Sequence, residues 1–157
     1  EESLRLHPPF YVLLRRTTSD VTVECSTGKF WIPKGTELTL DIFNSQRDNN
    51  QWGTERTGYA ANRFAPERWG KENVAARGLS NQALDLFSFG SGPRICLGLH
   101  LFWSEALPAI ARCMDEFTFT PRFTDADAGM SGDLSLQREG GYPVTVTLRK
   151  GSMRSSS

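Results

Sequence analysis

The run Phe89-Gly90-Ser91-Gly92-Pro93-Arg94-Ile95-Cys96-Leu97-Gly98, set directly ahead of a helical pattern, restricts this 157-residue chain more than any other feature. Three glycines and a proline in ten residues interrupt any helix or strand there, because glycine loses most backbone entropy on ordering and proline lacks an N–H. Immediately afterwards Leu99, Phe102, Ala106, Ala109, Ile110 and Cys113 recur near helical spacing, which predicts a helix over Gly98–Phe117. Pro108 lies inside it and removes a hydrogen bond to the Ser104 carbonyl, so the helix should bend. The chain therefore presents a cysteine from a glycine-rich loop at a helix N-terminus.

That placement suits a thiolate ligand to iron. A strongly bound cation deprotonates a coordinating thiol, and the resulting charge gains from free backbone N–H groups and the positive end of the helix dipole. Glycines 90, 92 and 98 would let the backbone approach a large flat ring. Arg94 could reach a carboxylate at the ring edge, and Phe89 could keep water from the sulfur, where hydrogen bonds and local dielectric tune the metal. Two plainer readings stand beside this one. Cys96 could be a buried structural cysteine in a glycine-rich turn. A phosphate-cradling loop fits less well, since Ile95 stands where the dinucleotide fingerprint requires glycine and no Gly-Lys-Ser/Thr occurs.

Elsewhere the chain alternates short elements. Glu1–Leu6 reads as the end of a helix stopped by His7-Pro8-Pro9, and Phe10–Leu14 as a strand running into Arg15-Arg16. Val21–Val23 and Lys29–Ile32 flank a turn at Ser26-Thr27-Gly28, and Thr36–Ile42 is β-rich. Asn44–Asn81 is polar with scattered aromatics, which predicts a long irregular surface segment with short helical turns. Phe117–Phe123 and Tyr142–Arg149 alternate like strands, Gly140-Gly141 turns the chain ahead of the second, and Gly151–Ser157 reads as a loose tail. Residues 1–150 thus form one domain-like part and 151–157 its tail. Lys plus Arg equals Asp plus Glu at 18 each, so no global charge draws the chain to nucleic acid. Cys25, Cys96 and Cys113 are an odd set at unrelated spacings, which fits a reducing compartment better than a disulfide framework. The opening Glu1-Glu2-Ser3 has neither an initiating Met nor a leader pattern, so a fragment is expected, with any membrane anchor lying upstream.

Phe89, Gly92, Arg94, Cys96 and Gly98 match every fixed position of the cysteine-loop signature of the cytochrome P450 family, which this chain resembles from Glu2 to about Arg149. Two more segments carry the resemblance in the family's order. Glu2-Ser3-Leu4-Arg5 is similar to its E-x-x-R helix motif, and Phe64-Ala65-Pro66-Glu67-Arg68-Trp69 to its P-E-R-F element, with Trp where Phe is commoner. The resemblance implies the C-terminal part of that fold, α+β and mostly α: the end of the E-x-x-R helix, a small β-sheet, a meander, the cysteine-ligand loop, a long helix and a C-terminal β-hairpin. It implies haem b held through the Cys96 thiolate, with Phe89, Gly92, Arg94 and Gly98 around it. Glu2, Arg5 and Arg68 would form a salt-bridged triad, since rigid guanidinium forks can clamp one carboxylate. By register Arg15 would bind a haem propionate, with Arg16 adjacent as the alternative, and Phe10, Tyr11, Val12 and Leu13 would line a substrate cavity.

The implied activity is a haem-thiolate monooxygenase that inserts one atom of O2 into a small apolar organic substrate, the thiolate favouring O–O cleavage. Electrons would come from an NADPH-dependent reductase or a ferredoxin, which exposed basic residues such as Arg112 could steer. A haem-thiolate isomerase or peroxygenase relative, or a relic without haem, are the alternatives. The family's distal helix would precede Glu2, so the 157 residues alone should be inactive. Departures are Phe102 where a small residue is usual, Leu99 where a polar one is common, Pro108, and an extended Gly53–Ala61; Glu105 matches. His7 reads as a surface or helix-end residue. His100, one turn after Cys96, could pair with it on a metal or as a Cys–His catalytic pair, but no second ligand pair accompanies it and a structural zinc site needs four ligands. Cys25 reads as a turn residue and Cys113 as a core residue.

Overall fold

His-Pro-Pro ends the first helix, α1 (Glu2–Leu6), and the His7 N–H closes it on the Ser3 carbonyl at 2.7 Å. This computed structural model describes residues 1–70, 86–124, 129–132 and 135–149. The chain divides into two compact units, Glu1–Gly90 and Ser91–Ser157.

In the first unit β1 (Val12–Arg16) pairs antiparallel with β4 (Glu37–Asp41), Val12 opposite Asp41 and Arg16 opposite Glu37. The strand begins two residues later than Phe10, the expected start. The Tyr11 carbonyl instead accepts the Ile42 and Phe43 N–H groups at 2.9 and 3.1 Å, so it caps the next helical turn rather than joining the ladder. The expected hairpin is present as β2 (Val21–Cys25) against β3 (Gly28–Ile32), with Cys25 opposite Gly28. Gly28 adopts φ 138°, a conformation that side-chain-bearing residues rarely take.

Three short helices follow: α2 (Ile42–Ser45), α3 (Asn49–Trp52) and α4 (Thr54–Thr57). Asp41 caps α2 by accepting the Asn44 N–H, and Asp48 caps α3 by accepting from Asn50 and Gln51. A 3-10 turn, Pro66–Trp69, completes the described part of this stretch. As far as residue 70 the irregularity and the surface location expected for Asn44–Asn81 are both there, with most of the residues exposed and a minority turned inward. Gln46, Trp52, Thr57, Ala61, Ala65 and Arg68 are buried, because the segment wraps its side chains around α1. Residues 71–81 lie outside the described residues.

The second unit holds a 3-10 turn, Gly92–Arg94, then α5 (Leu99–Glu116), the predicted helix with Pro108 inside it. β5 (Phe117–Pro121) pairs with β8 (Val144–Leu148), and between them β6 (Met130–Gly132) pairs with β7 (Leu136–Arg138). Gly140 and Gly141, at φ 75° and 70°, make the expected turn. The small sheet therefore consists, among the described residues, of separate antiparallel pairs across the two units. α5 buries none of its residues, and Cys113 is exposed rather than in a core. Gly151–Ser157 lies outside the described residues. No described helix is long and apolar enough to cross a membrane.

Candidate functional site

The structure brings Glu2, Arg5 and Arg68 together. Arg5 grips Glu2 with two parallel hydrogen bonds, Nε to Oε2 and Nη2 to Oε1, both 2.8 Å. Its remaining donors reach the carbonyls of Gln46, Ala61 and Arg63 at 2.6, 2.7 and 3.2 Å, so all five guanidinium protons are used. Arg68 Nε meets the same carboxylate at 3.3 Å. Its other nitrogens donate to the carbonyls of Trp52 and Ala60 at 2.7 and 3.0 Å and to the Thr57 hydroxyl. Both arginines are fully buried. Two cations against one anion would be costly in a low-dielectric interior, and the carbonyl dipoles drawn around them offset that cost. Arg5 also lies over the Trp52 ring at 5.1 Å.

Two further groups complete the carboxylate's shell. The Ala65 N–H donates to Oε1 at 3.1 Å and the Trp69 indole N–H to Oε2 at 2.9 Å. Burial by itself pushes the Glu2 carboxyl up, but the Arg5, Ala65 and Trp69 hydrogen bonds and the Arg5 charge outweigh it and hold the group at about 2, against an ordinary 4.5.

Gln46 is a member of this network that sequence reasoning missed. It is fully buried, and its side chain ties α1 to residues 87–88, just ahead of the cysteine loop. Nothing in its spacing distinguishes it from other polar residues of the meander.

Cys96 lies between the 3-10 turn and α5, exposed and outside any disulfide. Its carbonyl accepts the Leu99 N–H at 3.3 Å, in the turn that leads to Gly98, the N-cap of α5. Leu97, next along, is fully exposed. Gly90 and Gly92 sit at φ 71° and 62°, where a Cβ is strained, so these two are glycine for backbone reasons. Gly98 is different: φ is −81°, and a Cβ there would meet Cys96 Sγ at an ordinary 3.7 Å. An accessible thiol at a helix start, with an exposed guanidinium at Arg94 two residues before it, fits the donor set that a haem iron and an anionic ring substituent require. Phe89 is half-buried.

On β1, Arg16 is committed to an exposed ion pair with Glu37, directly across the ladder. Arg15, one residue earlier, donates only to its neighbour's carbonyl, Leu14 O, at 2.8 Å. A cavity of about 370 Å³ is lined by Leu14–Arg16 and Glu37–Thr39. Tyr11, Val12 and Leu13 are half-buried and Phe10 is exposed, so these four do not enclose a cavity within their own unit. His100 is exposed. Among the described residues no three His, Cys, Asp or Glu side chains gather as a metal site. Arg112 is exposed and pairs with Glu116 one helical turn on.

Residues 1–145 match the family model of cytochrome P450. Cytochrome P450 72A397 of Kalopanax septemlobus is 36% identical over 127 residues, 80% of this chain and 22% of that protein. Echinocystic acid 23-monooxygenase of Saponaria officinalis is 31% identical over 150 residues, 94% of this chain and 26% of that one. Among solved structures, cyanobacterial CYP120A1 with retinoic acid bound superposes with a TM-score of 0.76 at 22% identity, covering 94% of this chain and 31% of its own. This chain spans about a quarter of the length of its curated relatives.

Proposed function

The chain belongs to the cytochrome P450 family, and from that premise we propose that it is the haem-binding portion of a longer haem-thiolate monooxygenase, in which Cys96 would hold the haem iron through its sulfur. The family and its monooxygenase relatives support an oxidoreductase that uses O2, an organic substrate and a redox partner. The observation that carries the reading is the exposed Cys96 thiol at the head of α5, in a loop whose glycine at φ 62° fixes its path.

Haem b, when bound, supplies the iron at which dioxygen is activated for transfer of one oxygen atom to substrate. The chain's own residues hold and insulate. Cys96 would hold the iron through its sulfur, just ahead of the N-terminus of α5. Arg94 supplies a fixed fork for one propionate. Arg15 supplies another, and the commitment of Arg16 to Glu37 supports Arg15 over its neighbour. Gly92 and Gly98 keep the loop slim, and Phe89 limits water near the sulfur. Glu2, Arg5 and Arg68 do no chemistry; they lock α1 to the meander so that the scaffold is rigid before haem arrives. Phe10, Tyr11, Val12 and Leu13 line the substrate side once the rest of the longer protein encloses them. The substrate is then a small apolar organic molecule, and the electron donor an NADPH-dependent reductase or a ferredoxin.

The test is a carbon monoxide difference spectrum on the full-length polypeptide that carries this sequence, with and without Cys96→Ala. The expected result is a thiolate-type Soret band that Cys96→Ala abolishes. A band that survives the substitution rejects Cys96 as the ligand, and absence of any band in the unsubstituted protein favours a relic without haem. Turnover with peroxide but without a reductase would place the protein with the peroxide-using relatives.

A further inference from the structure

Glu2, Arg5 and Arg68 fasten α1 to the meander, and among the described residues the side chain of Gln46 ties α1 to Phe87 and Ser88, ahead of the cysteine loop. Gln46 Nε2 donates to the Arg5 carbonyl at 3.0 Å and shares its other proton between the Leu4 carbonyl and Ser88 Oγ, at 3.3 and 3.2 Å. Its Oε1 accepts the Phe87 N–H at 2.8 Å. The Ser88 hydroxyl in turn donates to the Leu4 carbonyl at 2.7 Å.

The amide therefore works in two directions. It gives protons to the open C-terminal carbonyls of α1, which have no partner inside so short a helix. It takes a proton from the strand of chain entering the loop. Reversing the amide would set its oxygen against two carbonyls and its NH2 against an N–H, so only one orientation satisfies the site. Glu offers acceptors but no proton when ionised, and Met offers neither. The backbone of Gln46 is itself held, since its carbonyl accepts from Arg5 Nη1 at 2.6 Å. The residue is thus pinned at both ends, with its side chain fully buried.

We propose that Gln46 is a positioning residue for the haem-thiolate centre: it fixes Phe87 and Ser88 on the end of α1 and so sets where the loop bearing Cys96 begins. This rests on the haem-thiolate reading above. The physical basis is connectivity. Gly90 closes a turn on Phe87, N–H to carbonyl at 2.8 Å, and Cys96 follows six residues later, so an error at Phe87 is passed along a tightly turned backbone. Iron–thiolate ligation tolerates little displacement, and groups behind a ligand commonly decide whether it stays bound.

The experiment uses the full-length polypeptide carrying Gln46→Glu, which keeps size, and Gln46→Met, which keeps volume but no polar function. Ile42→Ala, in the buried part of the same turn, serves as a control for general loosening. Two readouts are taken at equal distance below each variant's melting temperature: amide hydrogen exchange of the peptide spanning Phe87–Gly90, and the share of haem in the thiolate-ligated form by carbon monoxide difference spectroscopy. Expected are exchange about tenfold faster at Phe87 and a thiolate share cut to about half or less in both Gln46 variants, with the control unchanged in both. Should Met fail to fold, the Glu variant decides alone. An unchanged thiolate share, or a fall equal to that of Ile42→Ala, overturns the proposal. If the unsubstituted protein shows no thiolate band, the haem reading falls first and takes this inference with it, a different result from an insensitive Gln46.

Discussion

Tryptophan at position 69 does something the family's commoner phenylalanine cannot: its indole N–H adds a donor to the Glu2 carboxylate, 2.9 Å from Oε2. Trp69→Phe keeps a ring near Trp52, whose centroid is 5.6 Å away, and removes that hydrogen bond. The expected cost is about 1 kcal/mol, read as a fall of a few degrees in melting temperature, with the carboxyl's pKa moving up from its low position. Acid sensitivity follows from the same carboxylate. Because the Glu2 pKa is about 2 when folded and near 4.5 otherwise, the unfolded chain binds the extra proton in between. The stabilisation is complete above the higher value and drains away as pH falls towards the lower one. Denaturant unfolding should show a loss on the order of 2 kcal/mol across that window, and Glu2→Gln should lack this component while being less stable at neutral pH, where it leaves two buried guanidinium groups uncompensated. A Glu2→Gln protein with the same acid slope as the parent would refute it. The charged trio was legible in the sequence because its members sit in motifs with fixed order. Gln46, Ala61 and Arg63 were not, for a physical reason: two of them contribute only backbone carbonyls to Arg5, and a carbonyl carries no residue identity. Gln46 adds an amide that looks, in a polar stretch, like any other.

Among elements, the two glycines flanking Cys96 make the sharpest contrast. Gly92 at φ 62° has nothing within 4 Å of the point where a Cβ would stand, so Gly92→Ala meets no clash and incurs only left-handed strain, roughly 1–2 kcal/mol. Gly98 at φ −81° lacks that strain, and Gly98→Ala should be near neutral or slightly stabilising as the start of α5. Thermal melts of the two variants, measured side by side without haem, check the ordering; equal losses would mean that the loop is not held at the observed backbone angles. Long and strongly periodic elements were readable, as α5 and the β2–β3 hairpin show. The β1 boundary moved because Tyr11 gives its carbonyl to α2, a tertiary choice that local propensity does not encode. The β6–β7 pair escaped notice because three-residue strands, one of them Met-Ser-Gly, are too short for an alternation to register. The meander lies on the surface as its polarity implies, and what could not be read is which few polar residues, Gln46, Thr57 and Arg68, turn inward to the buried charges.

For the whole molecule, the two units are unequally provisioned. The first buries Leu6, Ile42, Trp52, Ala61 and Ala65 around its charged network, whereas α5 buries no residue and leaves Leu101, Leu107, Ile110 and Met114 about half exposed or more. An 18-residue helix with that much uncovered apolar surface draws little stability from packing, which is where most helical stability arises. The chain spans 22% to 26% of the length of these curated relatives, and on the proposal above the remainder of a longer protein would cover that surface. The 157 residues expressed alone should therefore bind a hydrophobic dye strongly, associate with rising concentration, and lose α5 helicity at lower denaturant than the Glu2 cluster loses its structure. They should also show no coupled, substrate-specific hydroxylation, because among the described residues Phe10, Tyr11, Val12 and Leu13 enclose no substrate cavity. The comparison is turnover and reductant consumption by the 157-residue chain against the full-length polypeptide under the same conditions. Product formation by the short chain in step with reductant use would contradict this account, and would mean that the exposed face of α5 is covered in solution by something other than the rest of a longer protein.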